Sequence, residues 1–563
     1  MRRRLHRGLL VAIGLAGIMV VMILGGEATT VLSQNGEQFP VNQEELNGQD
    51  IESIPHLLDP DRLYPRIGLA LERIRGTFAD GGETQFSKFR SRGPVSHPQG
   101  AAFEAAGSAP VPGAGVPTTS GAFPGLNRQT ASSCGFAFFP PDNILAVGPD
   151  QILEAGNSAL RLTNKAGSQI QLQTLNDHFG VPVNGAGNRV LFDPKVAYDS
   201  ASGRFFIVAL QFTPSFFSAE SKVFLSVSRG SNLTSLNTGW CNYAINAKLN
   251  STGADYPGLG FSDDAVAIST NQFAISWGGF GSFQNVALWV LRKASLVNNA
   301  AGCPALTSFL FIVTTDASGQ RAFTLQPAQS FSSTAAFTGK PQFFVSAFPT
   351  GTSSATYVLW RVINVATTPS LSKVNLAGGQ TYSFPPDATQ KGAGSKLDTS
   401  DVRVKQVAFR GGSLWATHAT GCTVGGVVQS CIRALRITPS NAGGTIAFQS
   451  TLAKGAGQFV YQPAIGVNNS GDVLLAFLWS SANQFLSFSA ALKYAAASTF
   501  TLLPDLAVGN CAQTATDRTG DYTGLQPDPS ELDKFWTVGE RASAFAVGAT
   551  TCNWQNTVAA VVP

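Results

Sequence analysis

Phe192-Asp-Pro-Lys-Val-Ala-Tyr-Asp199, Arg204-Phe-Phe-Ile-Val-Ala209 and Val223-Phe-Leu-Ser-Val-Ser228 follow one another along the chain. Each is a short run rich in Val, Phe and Ile, and turn-forming Asp, Gly and Ser residues separate them. Such runs read as β-strands, and their spacing reads as antiparallel neighbours joined by hairpins. The first run opens with Asp-Pro, a polar entry segment that leads into the strand.

The same order of entry, first strand, turn, second strand, loop and third strand recurs on both sides of this stretch. Before it come Pro141-Asp-Asn-Ile-Leu-Ala-Val147, Ile152-Leu-Glu-Ala155 and Ala159-Leu-Arg-Leu-Thr163. After it, new units open at Asp255-Tyr-Pro, Gln326-Pro-Ala, Asp401-Val-Arg-Val, Gln462-Pro-Ala and Asp521-Tyr-Thr-Gly. Self-similarity at a fixed period marks units that bury their faces only against their neighbours. The units are β, about sixty to seventy-five residues apart, and closing them into a ring removes the exposed edges of an open array. The sequence therefore predicts an all-β chain whose residues 131–563 form a β-propeller of seven blades, with six left open. A β-sandwich pair accounts for the strands but not for the recurring entry segment.

Composition agrees. Charged residues are only 13% of the 563, aromatics are 10%, and Gly (58) and Phe (39) are abundant, a profile of strands and turns rather than of disorder. The net charge of +4 comes largely from the N-terminal arginines. No basic stripe and no aromatic–basic interleaving points to nucleic acid.

The N-terminus reads as an export segment, residues 1–28. Arg2, Arg3, Arg4 and Arg7 precede an apolar run from Leu9 to Gly25, and Gly26-Glu27-Ala28 offers small residues for cleavage. The run is also nearly long enough to span a bilayer, so a cleaved signal and a retained anchor both stand. Either one puts the rest of the chain outside the cytoplasm, with membrane contact only through this segment. Residues 29–90 are acidic at first and then carry one amphipathic helix, Pro65 to Thr77. Residues 91–130 have the Pro, Gly, Ala and Ser content of a linker. Seven cysteines fit the compartment. Cys422 with Cys431, Cys241 with Cys303, and Cys511 with Cys552 are the expected pairs, which leaves Cys134 over. Sequence alone does not fix this connectivity, and free buried thiols are the alternative.

Phe192-Asp-Pro-Lys-Val-Ala-Tyr-Asp199 with Gly203-Arg-Phe-Phe206, and Gly520-Asp-Tyr-Thr-Gly-Leu-Gln-Pro-Asp-Pro529 with Phe535-Trp-Thr-Val-Gly-Glu540, resemble secreted bacterial propellers related to the sialidase superfold. Pro140-Pro-Asp-Asn143 with Val147-Gly-Pro149 is similar to the first blade of such proteins. The resemblance implies a propeller over about 131–563, and little about activity. Faithful Asp boxes are absent. The nearest segment, Thr314-Thr-Asp316-Ala-Ser-Gly319, has the wrong spacing, and the Arg-Ile-Pro segment of sialidases is missing near the first blade. A sialidase's arginine triad and tyrosine nucleophile therefore do not carry over.

The candidate chemistry lies in the entry segments. Asp142, Asp193, Asp255, Asp401 and Asp521 stand just before the first strand of their units, and Gln326 and Gln462 take that place in two others. First strands line the channel of a propeller, so these carboxylates would ring one mouth of it. Such a ring offers a metal site, calcium being the cation that takes six to eight oxygens. It also offers paired carboxyls for glycoside cleavage, which need about 5–10 Å between them. Asp193, Asp255 and Asp521 are the catalytic candidates, with Arg403 or Arg518 for an acidic sugar. The local reading is that Asp caps a turn by accepting backbone N–H bonds. His178 and His418 are expected to be packed residues. Trp289, Trp360, Trp415 and Trp536 are expected to pack blades, and Trp240, Trp277 and Trp554 are candidates for stacking on a sugar. No phosphate loop, dinucleotide fingerprint or nucleophile elbow occurs.

These readings predict a monomeric binding module for a glycan or a protein, with no certain cofactor. Enzymatic activity is left open and disfavoured. The alternatives are a glycoside hydrolase using the mouth carboxylates and a surface structural protein.

Overall fold

The computed structural model describes residues 117–128, 140–182, 190–213, 219–276, 279–347, 353–544 and 552–563, together with the backbone of strand segments between 29 and 54 and at 101–102. The export segment, the Pro65–Thr77 helix, Cys134 and Trp277 lie outside these residues.

The chain is a β-propeller. Its innermost strands are Ile144–Val147, Phe192–Asp199, Thr252–Phe261, Gln326–Ser330, Gln406–Arg410, Gln458–Val467 and Gly524–Pro527. Each leads outward into an antiparallel sheet, as Phe192–Asp199 does through Arg204–Thr213 and Glu220–Ser228 to Trp240–Asn246. Consecutive innermost strands lie beside one another, and the last, Gly524–Pro527, lies beside the first, Ile144–Val147.

Period-two alternation explains why the strands are apolar on both sides. In Arg204–Thr213, Phe205, Ile207 and Ala209 face the first sheet and pack with Leu153, Leu160 and Phe179. Phe206, Val208 and Leu210 face the third sheet and pack with Phe261, Ile268 and Trp289. Buried clusters of this kind fill every seam, and Leu145, Val147 and Ile152 against Trp536, Val538 and Val558 close the ring. Each such side chain contributes roughly 1.5–3 kcal/mol on burial. Near the axis only hydrogen fits at some positions. A Cβ on Gly524 would lie 2.6 Å from the Leu145 amide nitrogen, and one on Gly260 would lie 2.5 Å from the Ala328 carbonyl oxygen.

The seventh sheet is completed from the other end of the chain. Thr118–Asn127 pairs antiparallel with Asn553–Val562 as its outermost strand. This corrects the linker reading of 91–130, since the propeller begins by residue 118. The stretch looked like linker because an outermost strand is exposed over most of its length and needs few apolar residues. Pro124 is tolerated there because an edge strand leaves N–H positions unpaired. Three further segments add to the rim: Gln43–Leu46 on the third sheet, Ile51–Ile54 on the second and Ala101–Ala102 on the fifth.

Among the described residues the disulfides are Cys241–Cys303, Cys422–Cys431 and Cys511–Cys552, as an oxidising compartment allows. Among the described residues no helix is long and apolar enough to cross a membrane.

Candidate functional site at the channel mouth

The entry segments are kinked. Asp142, Asp193, Tyr256, Ser400 and Gln462 have φ of 44°, 51°, 52°, 63° and 47°, and Gly520 has 87°. A left-handed conformation at a residue other than Gly costs about 1–3 kcal/mol. Proline follows Asp193, Tyr256 and Gln462, and at each of these places the ladder shifts register. A proline has no N–H for the ladder, so the strand bulges and re-aims its side chains. Asp193 and Asp255 consequently sit at bulges within their strands, whereas Asp142, Asp401 and Asp521 precede theirs.

All five aspartates are buried, and Arg403, Arg518 and Lys195 stand among four of them. Arg403 grips Asp401 from Nε (2.9 and 3.0 Å) and from Nη2 (2.7 Å), and its backbone N–H donates to the same carboxylate at 2.8 Å. Arg518 Nη2 donates to Asp521 at 2.9 Å. Asp142 accepts the N–H of Asp521 at 2.9 Å and the side-chain amide of Asn157, whose oxygen accepts the N–H of Asp193. Lys195 Nζ stands 3.0 Å from the centre of the Tyr522 ring, and Arg403 lies 4.2 Å from that of Tyr256. Lys405 donates to Ser400 Oγ at 2.8 Å.

These contacts set the ionisation. Burial works against charging Asp401, but Arg403 outweighs it and holds the carboxyl at about 2. Burial opposes charge on Asp521 as well, yet Arg518, Lys405 and Arg403 bring it below the ordinary carboxylate value. Lys195 is pushed well below the usual lysine value by burial and then by Lys405, while Asp193, Asp521 and Asp142 pull it back. The Tyr522 hydroxyl is driven well up by burial, with Asp193 adding to the effect.

The structure therefore brings Asp142, Asp193, Asp401 and Asp521 into one electrostatic cluster with Arg403, Arg518 and Lys195, while Asp255 is buried at its own bulge. Among the described residues no three His, Cys, Asp or Glu side chains converge as a metal-ligand set. The expectation at Asp142, Asp193, Asp255, Asp401 and Asp521 is a calcium ring. The oxygens of Asp401, Asp521 and Asp142 are engaged by guanidinium and amide donors instead. Arg403, proposed for an acidic sugar, has its fork occupied by Asp401.

The sequence reading missed Lys195, Lys405, Tyr256 and Tyr522. No strand periodicity marks the lysines, since the bulge separates Lys195 from Asp193, and Asp401, Arg403 and Lys405 all precede the strand Gln406–Arg410. It also missed a glutamine layer. Gln526 accepts from the N–H of Val147 (3.1 Å) and Tyr198 (3.3 Å) and donates to Gln329, and Gln406 donates to the Leu525 carbonyl at 2.8 Å.

The remaining candidates are packing residues. Trp240 and Trp554 lie in strands at 4% and 0% exposure, so neither can stack on a sugar. His418 Nδ1–H donates to the Ala419 carbonyl (2.8 Å), and Nε2 accepts from the Tyr357 hydroxyl (3.0 Å). Burial and then Arg433 lower His418 to about 3. His178 is held by Leu236 O and Ser226 Oγ, both at 2.8 Å. Thr314–Gly319 is a turn in which Asp316 accepts from the N–H groups of Ser318 and Gln320.

No protein-family model and no curated protein matches the sequence. Solved structures that match include a protein of unknown function from Dyadobacter fermentans, at 10% identity, 67% of this chain, 96% of that one and a TM-score of 0.31. The Trypanosoma rangeli sialidase matches at 9% identity over 78% of this chain and 60% of its own, with a TM-score of 0.33. The Penicillium chrysogenum α-L-arabinanase matches at 9% identity over 74% and 93%, with a TM-score of 0.31.

Proposed function

We propose that the chain is an extracytoplasmic recognition propeller, which binds a glycan on the face around its channel mouth and does not cleave it. The observation that carries this reading is the state of the mouth carboxylates. Glycoside cleavage needs one carboxyl kept protonated near neutral pH and a second one free to attack or to activate water. Here Asp401 and Asp521 are held ionised by Arg403 and Arg518, and the Asp142 oxygens are spent on fixed amide donors. Rigid charge pairs of this kind shape a surface rather than move protons. The N-terminal segment exports the chain and either leaves by cleavage or tethers it.

The test is a glycan array probed with the purified exported protein, run beside a panel of chromogenic glycosides. Binding that saturates without product release supports the reading. Hydrolysis that falls at least 100-fold in D193N or D521N would establish the hydrolase instead. Binding to a protein alone would replace the glycan. An N-terminus at Thr29 in the exported protein excludes the tether.

A further inference from the structure

The seam where the ring closes is unlike the others. At one end the seventh and first sheets meet through Leu145, Val147, Trp536 and Val538. Farther along the same face the seam turns polar. Glu540 follows Val538 by two residues and therefore shares its side of the strand. Asn556 stands directly opposite Glu540 on the neighbouring strand, a position that puts two Cβ atoms about 5 Å apart. Asn143, at the entry of the first sheet, donates from Nδ2 to the Val538 carbonyl at 3.2 Å. Glu540, Asn143 and Asn556 are each fully buried.

Two carboxyls occupy this seam and are treated differently. Glu154 is surrounded by donors: the Leu126 N–H at 2.8 and 3.0 Å, Asn556 Nδ2 at 2.9 Å and Arg161 at 3.8 Å. Glu540 receives no hydrogen bond at either oxygen, and Asn143 Oδ1 and Asn556 Oδ1 receive none either. The amide orientations are not interchangeable. Asn556 must turn its NH₂ to the Glu154 carboxylate, and Asn143 must turn its NH₂ to a carbonyl, so both amide oxygens are left as acceptors. Both Glu540 oxygens and the two amide oxygens are thus buried without a donor in one seam, and the Asp142 carboxylate adds like charge to Glu540. A buried polar atom without a partner costs about 1–3 kcal/mol. A proton on Glu540 would give a single donor to set against the other three oxygens.

We propose that this seam is a cation site, in which Glu540, Asn143 Oδ1 and Asn556 Oδ1 supply oxygens to a calcium ion and so pin the last sheet to the first. Oxygen-only donors select a hard cation. Calcium accepts an irregular set completed by carbonyls or water, whereas magnesium demands a strict octahedron. The site borders the mouth cluster at Asp142 but does not depend on what the propeller face binds.

The test uses the full chain, stripped with a chelator and then titrated with calcium. Calcium is expected to raise the melting midpoint by at least 2 °C, with one ion bound per chain by calorimetry, and E540Q, which keeps the shape and removes the charge, should lose both effects. The conservative N556S should weaken binding at least 10-fold. Terbium on the wild-type chain gives a readout that needs no variant, since Trp536 lies on the same strand face four residues from Glu540. Sensitised emission should appear and be competed away by calcium. No calcium shift and no terbium emission in the wild type overturns the proposal. Calcium binding unchanged in folded E540Q overturns it too, by placing the ion elsewhere. Stability of E540Q equal to wild type with no calcium response in either would show that Glu540 is a neutral acid.

Discussion

Replacing Arg403 with leucine removes the partner of a carboxylate that is only 4% exposed. The Arg403 guanidinium also lies over the Tyr256 and Phe323 rings, so leucine removes the charge, its fork of hydrogen bonds and these ring contacts together. Breaking a buried ion pair from one side costs about 3–5 kcal/mol, because the remaining charge stays behind without compensation. Unfolding entropy near 2.1 cal/mol/K per residue gives roughly 0.9 kcal/mol/K for residues 118–563, so the midpoint should fall by roughly 3–5 °C at pH 7. Adding D401N should restore most of the loss, since neither charge is then stranded. The effect should also depend on pH with a definite sign. The folded carboxyl sits at about 2 against an unfolded value of 3.8. A depressed folded value gives stability that is present above 3.8 and is lost as pH falls toward 2, about 2 kcal/mol in all. The gap between wild type and R403L should therefore narrow across that window. Calorimetric melts of the three proteins from pH 7 to pH 2.5 decide the matter. A shift below 1 °C for R403L, or a double variant no better than the single one, would refute the view that the mouth is held by buried, mutually dependent charges.

Burial lowers folded His418 to about 3, so the unfolded chain takes up a proton first as pH falls below about 6.5. Stability should drop by about 2 kcal/mol from pH 7 to pH 5, and a folded H418Q that keeps the same pH slope would show that other groups carry it. G524A should lower the midpoint by several degrees, because its new methyl meets the Leu145 backbone at 2.6 Å; a midpoint within 1 °C of wild type would mean that the inner strands can part. Serine pairs at Cys241 and Cys303, separated by 62 residues, should cost about 4 kcal/mol, and at Cys422 and Cys431, separated by 9, about 2.5 kcal/mol. Denaturant midpoints in the reverse order would speak against loop entropy as the source.

The strands and their recurrence were legible in the sequence because period two is local. Residues such as Phe205 to Leu210 carry apolar groups on both faces, and a run of that kind has few other ways to be buried. Of the disulfides, only Cys422–Cys431 flanks its own short loop; Cys241–Cys303 and Cys511–Cys552 span whole strands, so the fold had to bring those partners together. Thr118–Asn127 was not legible as a strand. An outermost strand buries little, so its composition matches a linker, and only its pairing with Asn553–Val562 across the ring assigns it. The five aspartates were legible as a repeating position, but their meaning was not. Asp401 is held ionised by Arg403 from its own strand entry, whereas Asp142 accepts the backbone N–H of Asp521, hundreds of residues away and adjacent only once the ring has closed. Glu540 closes a motif read in the sequence, but nothing local marks it as buried without a donor. By itself the sequence determined which segments become strands, because that depends on neighbours two residues apart. Tertiary structure alone decided which carboxylates are neutralised and which is left bare, because charge and burial are set by whatever the closed ring brings alongside.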